Sequence, residues 1–287
     1  MTISLPSSWV KRHNLRKGEE IDVLEEDNCL MVKPVCRNNG LKTTEISFAG
    51  LDRDTRRDLV LATHKKGYDE IKINFDNQAV VKELHEYLNS MQLGFEVIKQ
   101  EQNSVLLRNI SNPEPEQFED LFRRAFRIAI EYSKKIEGVM NQDEDITHSC
   151  LLHETSINRI SNYCKRIIIR EKQQNACFLY AMMESLAGAT HNLTAILDEI
   201  KKADQAVPNA FAARYSQLTE LLVRVYELYY KFSIKDYNLV RADLERLKRQ
   251  LELMKPSEIP CASCQEQLKS IHGQISGLLA STLAIRL

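Results

Sequence analysis

Hydrophobic positions along this chain follow three rhythms in turn: a short alternation, a mixed strand-and-helix pattern, and a helical period that lasts to the end. Ile3 and Leu5 alternate with polar neighbours as a strand does, and Pro6-Ser7-Ser8 opens a short helix carrying Trp9 and Val10. Arg16-Lys17-Gly18 makes a turn, and Ile21 and Val23 belong to a second alternating strand. Glu25 to Asn28 reverse the chain, and Cys29 to Val32 return until Lys33-Pro34 ends the strand. So little sheet cannot bury a core by itself, so residues 1–36 are expected to pair with a second chain.

From about Thr43 to Ile110 strands and helices alternate. Ile46 to Phe48 read as a strand, Asp54 to Lys66 as a helix stopped by Gly67, Ile71 to Phe75 as a strand, and Asp76 as the cap of a helix to about Met91. Phe95 to Ile98 and Val105 to Leu107 form an antiparallel pair around Gln102-Asn103, which makes 42–111 a small α/β domain. The breaker Asn112-Pro113-Glu114-Pro115 closes it.

Six helices follow in 115–287, at about Glu116 to Met140, Asp145 to Arg170, Ala176 to Lys202, Ala210 to Ser233, Lys235 to Met254 and Ser263 to Ile285. Their short connections predict antiparallel bundles. An internal repeat refines this: Ser185, Gly188 and Leu193 recur at one spacing as Ser270, Gly273 and Leu278. Ile157 to Ile160 likewise resembles Leu244 to Leu247, so the helical half reads as a duplicated three-helix unit, 115–203 and 209–287.

Composition narrows the class. At 287 residues the chain exceeds one ordinary core, which agrees with several domains. Its 43% hydrophobic and 28% charged residues describe a soluble globular protein. No run approaches the roughly 18 apolar residues of a membrane span and no signal-like segment follows Met1, so a cytoplasmic protein without membrane insertion is expected. The net charge of −1 excludes a bulk nucleic-acid binder, and any DNA contact must come from a local patch. Seven cysteines, an odd number spread along the chain, fit reduced thiols rather than a disulfide framework. No Ser/His/Asp order, phosphate-binding glycine loop or nucleotide fingerprint is present, so no enzyme is expected.

The run Thr2-Ile3-Ser4-Leu5-Pro6-Ser7-Ser8-Trp9-Val10, followed by Leu15-Arg16-Lys17-Gly18-Glu19-Glu20-Ile21-Asp22-Val23, closely resembles the AbrB/SpoVT family, with Glu19 where Asp is common. The resemblance implies half of a swapped-hairpin β-barrel completed by a second chain. Family members usually extend further upstream, with a first barrel strand and DNA-approaching positions. A short DNA-contacting face or a misassigned start is therefore expected. The order of AbrB-like module, α/β segment and duplicated helical unit is similar, over essentially the whole chain, to archaeal PhoU-type phosphate-uptake regulators. It implies a mixed multidomain fold ending in an all-α PhoU-like domain, and a homodimeric, DNA-binding regulator of phosphate uptake or signalling. The alternative is an adaptor whose PhoU-like bundle docks on a phosphate transporter component or signalling protein without touching DNA.

Lys11, Arg12, His13, Arg16 and Lys17 fall on one helix and turn, and a two-fold dimer would display them twice. On charge alone they are equally an ordinary solvated face. The resemblance assigns Lys11, Arg12, Arg16 and Lys17 to DNA phosphates. PhoU proteins carry acids spaced i,i+4 on bundle helices, a spacing that shares one face and suits hard or borderline cations. The corresponding places here read Glu154 with Asn158, Glu184 with Gly188, Arg241 with Glu245, and Lys269 with Gly273. The family's multinuclear metal site is thus expected to be lost or reduced to Glu154 and Glu184, with Gly188 and Gly273 serving close helix packing. Cys261-Ala262-Ser263-Cys264 has metal or redox spacing and reads three ways: structural thiols, half of a zinc site with His272 as a third ligand, or a redox pair. No cofactor beyond such a divalent metal or zinc is expected.

Overall fold

The structure is a computed structural model that describes residues 3–12, 15–26, 29–34, 41–91, 94–111, 117–140, 148–203 and 206–287. The chain divides into two compact units, 1–42 and 43–287.

In the first unit the backbone amides of Trp9 and Val10 donate to the Pro6 carbonyl and start α1 (Ser7–Arg12), which buries none of its residues. Gly18 turns the chain with φ of 93°, a conformation that favours glycine. Glu19 Oε2 fixes this turn by accepting from the Arg16 amide at 2.8 Å. Strands β1 (Ile21–Glu26) and β2 (Cys29–Pro34) pair antiparallel with Val23 opposite Val32. The strand reaches Glu26, so the reversal expected from Glu25 to Asn28 is shorter and its residues 27–28 lie outside the described ones. Ile3 to Leu5, expected as a strand, takes no strand pairing among the described residues. Alternation supplies side-chain faces but not a hydrogen-bonded neighbour. No closed barrel forms among the described residues.

The second unit begins with β3 (Thr43–Ser47), α2 (Arg53–Lys65), β4 (Glu70–Asn74), α3 (Ala79–Met91), β5 (Phe95–Gln100) and β6 (Ser104–Asn109). The sheet order is β3-β4-β6-β5, with β3 parallel to β4 and the other pairs antiparallel. Asp52 caps α2 by accepting from the Thr55 amide at 2.9 Å. At α3 the capping side chain is Asn77, whose Oδ1 accepts from the Ala79 amide, and not Asp76 as expected. Alternation in β4 buries Ile71 and Ile73 on the face covered by α2 and α3, against Val60 and Leu84. Lys72 points the other way and pairs with Glu45.

Helices α4 (Gln117–Met140), α5 (His148–Arg170), α6 (Ala176–Ala203), α7 (Asn209–Tyr230), α8 (Ile234–Glu252) and α9 (Ala262–Arg286) complete the chain. α4, α5 and α6 pack on one another, as do α7, α8 and α9. Across the two sets α4 meets α7 and α6 meets α9. Ser233, expected to close α7, instead caps α8, because its hydroxyl accepts from the Asp236 amide at 3.1 Å. Gly188 permits the α6–α9 approach: a Cβ there would lie 2.5 Å from Gln274 Nε2. Gly273, expected to do the same, faces open space, and Gly277 takes that part, its Cβ position lying 3.2 Å from Ser185 Oγ. The reciprocal contacts follow from the antiparallel crossing, which shifts the second glycine by one turn.

Layer and bundle meet through α5. Arg166 has no solvent exposure. Its Nη1 donates to the carbonyls of Tyr68 at 2.6 Å and His64 at 3.1 Å, and its Nη2 to Asp69 Oδ1 at 2.8 Å. Arg170 reaches the same carboxylate and the Gly67 carbonyl. Gly67, at φ of 80°, ends α2, and a Cβ there would touch Arg170 Cβ at 3.4 Å.

Breaking a buried pair leaves its partner uncompensated and costs about 3–5 kcal/mol, whereas an exposed pair is worth less than about 1 kcal/mol. Arg166→Ala should therefore lower stability in urea unfolding by the former amount. Arg53→Ala, which removes an exposed pair with Glu86, should leave it nearly unchanged. Equal effects of the two substitutions would deny Arg166 this role.

Candidate functional site

Four of the five residues in the basic cluster 11–17 are described. Lys11 and Arg12 occupy the last turn of α1, Arg16 and Lys17 the following turn, and all four are exposed. His13 lies outside the described residues. The lysine and arginine side chains thus sit on one short stretch of a small unit, free of helix or strand packing. Glu19, Glu20, Asp22 and Glu25 are also exposed, so the cations of α1 and its turn stand beside an acidic stretch. Apolar side chains of this unit stand uncovered: on the hairpin Val23 is 51% exposed and Leu30 54%, and ahead of α1 Ile3 is 63% exposed. Among the described residues the module buries no apolar side chain, as a two-stranded sheet alone would not.

The bundle carboxylates have other partners. Glu154 Oε1 lies 3.2 Å from Nδ1 of the exposed His191. Glu184 Oε1 lies 2.7 Å from Lys165 Nζ and 3.8 Å from Lys65 Nζ, so two ammonium groups occupy the side where a cation would bind. Burial pushes the Lys165 ammonium below the usual lysine range, and the Glu184 carboxylate opposes that shift. In the second repeat Arg241 and Glu245 are exposed, and Lys269 pairs with Glu266. Among the described residues no group of three or more His, Cys, Asp or Glu side chains is placed to hold a metal ion.

Cys261 and Cys264 do come together, with their sulfurs 3.4 Å apart at the start of α9. His272 does not join them. Its Nε2 pairs with the Leu244 carbonyl at 2.9 Å, and it lies eight residues past Cys264, about 12 Å along a helix axis. His153 stacks on Tyr132 with ring centroids 5.4 Å apart, a core contact. The side chains of His148 and Cys150 lie outside the described residues, as does Cys36.

Two features were missed in the sequence. One is the Lys165-Arg166 pair, buried inside α5; its signal was two cations set within Tyr163, Cys164, Ile167 and Ile168, out of step with any solvated face. The other is a groove of about 870 Å³ between α2 and the start of α6, lined by Leu61, Lys65, Ile169, Cys177 and Tyr180. It joins residues more than a hundred positions apart, and no local pattern announces it.

Glu184→Gln should destabilise the protein by about 1–3 kcal/mol, since it strips a buried ammonium of its anion, and Glu154→Gln by less, its partner being exposed. The folded chain releases the Lys165 proton at lower pH than the unfolded chain, so stability from this site rises with pH over the alkaline window below 10.5. Glu184→Gln should steepen that rise, and urea titrations at several pH values measure it. No family model matches this chain, and neither does any curated protein or solved structure.

Proposed function

We propose that this protein is a dimeric, DNA-binding regulator of the PhoU type. In this reading the N-terminal module completes an AbrB-like swapped-hairpin barrel with a second copy, and the helical unit receives a phosphate-status signal. The observation that carries the reading is the pairing of two features in one small module: four exposed cations on α1 and its turn, and uncovered apolar side chains, Val23 and Leu30 on the hairpin and Ile3 ahead of α1. A second copy would cover the apolar face and double the cations. The phosphate connection rests on the resemblance, supported by the two three-helix sets that pack as a duplicate. Neither an enzyme nor a resident cofactor enters this reading. Lys11, Arg12, Arg16 and Lys17 act by displacing counterions from the DNA backbone, which gives affinity without base selection.

Four cations on each of two chains allow at most eight phosphate contacts, a slope of about −7 in log affinity against log salt. Arg12→Ala/Lys17→Ala leaves half of them and should flatten the slope to about −4 on a random-sequence duplex, measured by fluorescence anisotropy. Affinity indifferent to salt and to these substitutions would remove DNA from the reading and leave the adaptor role on a phosphate transporter component. Removing residues 1–42 should convert the dimer to a monomer in sedimentation, and a dimer that persists would refute the shared barrel.

A further inference from the structure

Cys261 is the N-cap of α9, in extended backbone (φ −160°, ψ 163°), and Cys264 closes the first turn by donating its amide to the Cys261 carbonyl at 3.1 Å. This local geometry aims both side chains the same way and brings the sulfurs to 3.4 Å, van der Waals contact. The two thiols differ in surroundings. Cys264 is fully buried in the bundle core, whereas Cys261 is partly exposed at the rim. Cys261 Sγ also lies 3.6 Å from Glu199 Oε2 near the end of α6. The dithiol therefore sits where the last helix of one three-helix set meets the last helix of the other.

We propose that Cys261 and Cys264 form a redox-active dithiol that closes to an intrachain disulfide by exchange with a low-molecular-weight disulfide. Cys261, the accessible sulfur, loses its proton to water and attacks one sulfur of the incoming disulfide. A mixed disulfide forms and one small thiolate leaves. Cys264 then loses its proton, attacks the Cys261 sulfur and expels the second small thiolate. Two protein thiols are oxidised, one small disulfide is reduced to two thiols, and the two protons released match the two thiolates formed. Cys261 is the sulfur an incoming disulfide can reach, and burial, which pushes the Cys264 thiol up to about 12, makes Cys264 the poorer first nucleophile, so the first attack falls to Cys261. Closure removes the S–H with which Cys261 meets Glu199, so the oxidation state is felt at the junction of α6 and α9. A metal role is less well served, because two sulfurs and one carboxylate at hydrogen-bond distance do not make a four-ligand shell and His272 is held elsewhere.

The test uses the full-length chain, reduced, exposed to oxidised glutathione, quenched with iodoacetamide and cut with trypsin. Both cysteines fall in the peptide 250–269, since the bond between Lys255 and Pro256 resists cleavage. The expected peptide is lighter than its reduced form by two hydrogen atoms, carries no glutathione and returns to the dithiol with dithiothreitol. Exposed Cys177, in another peptide, reports ordinary thiol reactivity. In Cys264→Ser the mixed disulfide with glutathione should persist on Cys261, and in Cys261→Ser the buried sulfur should stay unmodified in the folded protein. A wild-type peptide that remains a dithiol while Cys177 reacts, or that keeps glutathione without closing, overturns the proposal. So does stoichiometric zinc in the purified protein that is lost in Cys261→Ser/Cys264→Ser. The wild-type measurement decides alone should a variant fail to fold.

Discussion

The guanidinium of Arg166 is the point on which residues 43–287 are assembled. The end of α2 leaves carbonyls that its own helix cannot satisfy, and a helix C-terminus carries partial negative charge. Arg166 enters from α5, and its Nη1 donates both to the His64 carbonyl at the end of α2, which also accepts the Gly67 amide, and to the Tyr68 carbonyl just beyond the helix, while Asp69 supplies the opposing carboxylate to Nη2. Burial pushes this guanidinium down to about 10, and Asp69 resists that shift. A buried pair of this kind adds little net stability compared with apolar packing, but its geometry tolerates few alternatives. It fixes where the α/β layer sits on the bundle, and Gly67 supplies the clearance for Arg170 beside it.

Inside the bundle the same logic recurs with neutral groups. Ser133 on α4 shares a hydrogen bond with Thr219 on α7 at 2.7 Å, and Tyr215 donates to the Ser133 carbonyl at 3.1 Å. Tyr132 meets Thr194 on α6 at 2.9 Å. Apolar surfaces of helices slide with little penalty, whereas a buried hydroxyl displaced from its partner is costly. These contacts set the vertical register of the two three-helix sets. The glycine contacts at Gly188 and Gly277 set their separation, so the axial and radial coordinates of the α6–α9 crossing have different physical origins.

Much of the element order was readable because period and punctuation agreed. Gly67 ended α2, the alternation Ile71–Ile73 faced one side of β4, and six helices followed the Pro113–Pro115 breaker. Two of the misplaced boundaries fell where two residues or two helices competed for one role. Asp76 and Asn77 are adjacent cap formers, and Ser233 sits between two helices either of which it might serve. The choice depends on backbone angles that sequence does not carry. Site residues were legible in proportion to how local they were. The sulfurs of Cys261 and Cys264 are neighbours by helical geometry, and the cations of α1 by proximity in the chain. Glu184 was singled out, with Glu154, as what a reduced metal site would keep, whereas its pairing with Lys165 and Lys65 was not legible because those lysines arrive from other helices.

The layer that Arg166 anchors is made early in the chain and its anchor late. Asp69 precedes Arg166 by 97 positions. At a synthesis rate of about 5–20 residues per second, the docking side of α2 and α3 waits on the order of 5–20 seconds on a ribosome before α5 emerges to cover it. During that interval the helices α2 and α3 lie on the nascent sheet with the side that α5 later covers still open to solvent. The order of the elements along the chain thus leaves that surface uncovered through the middle of translation.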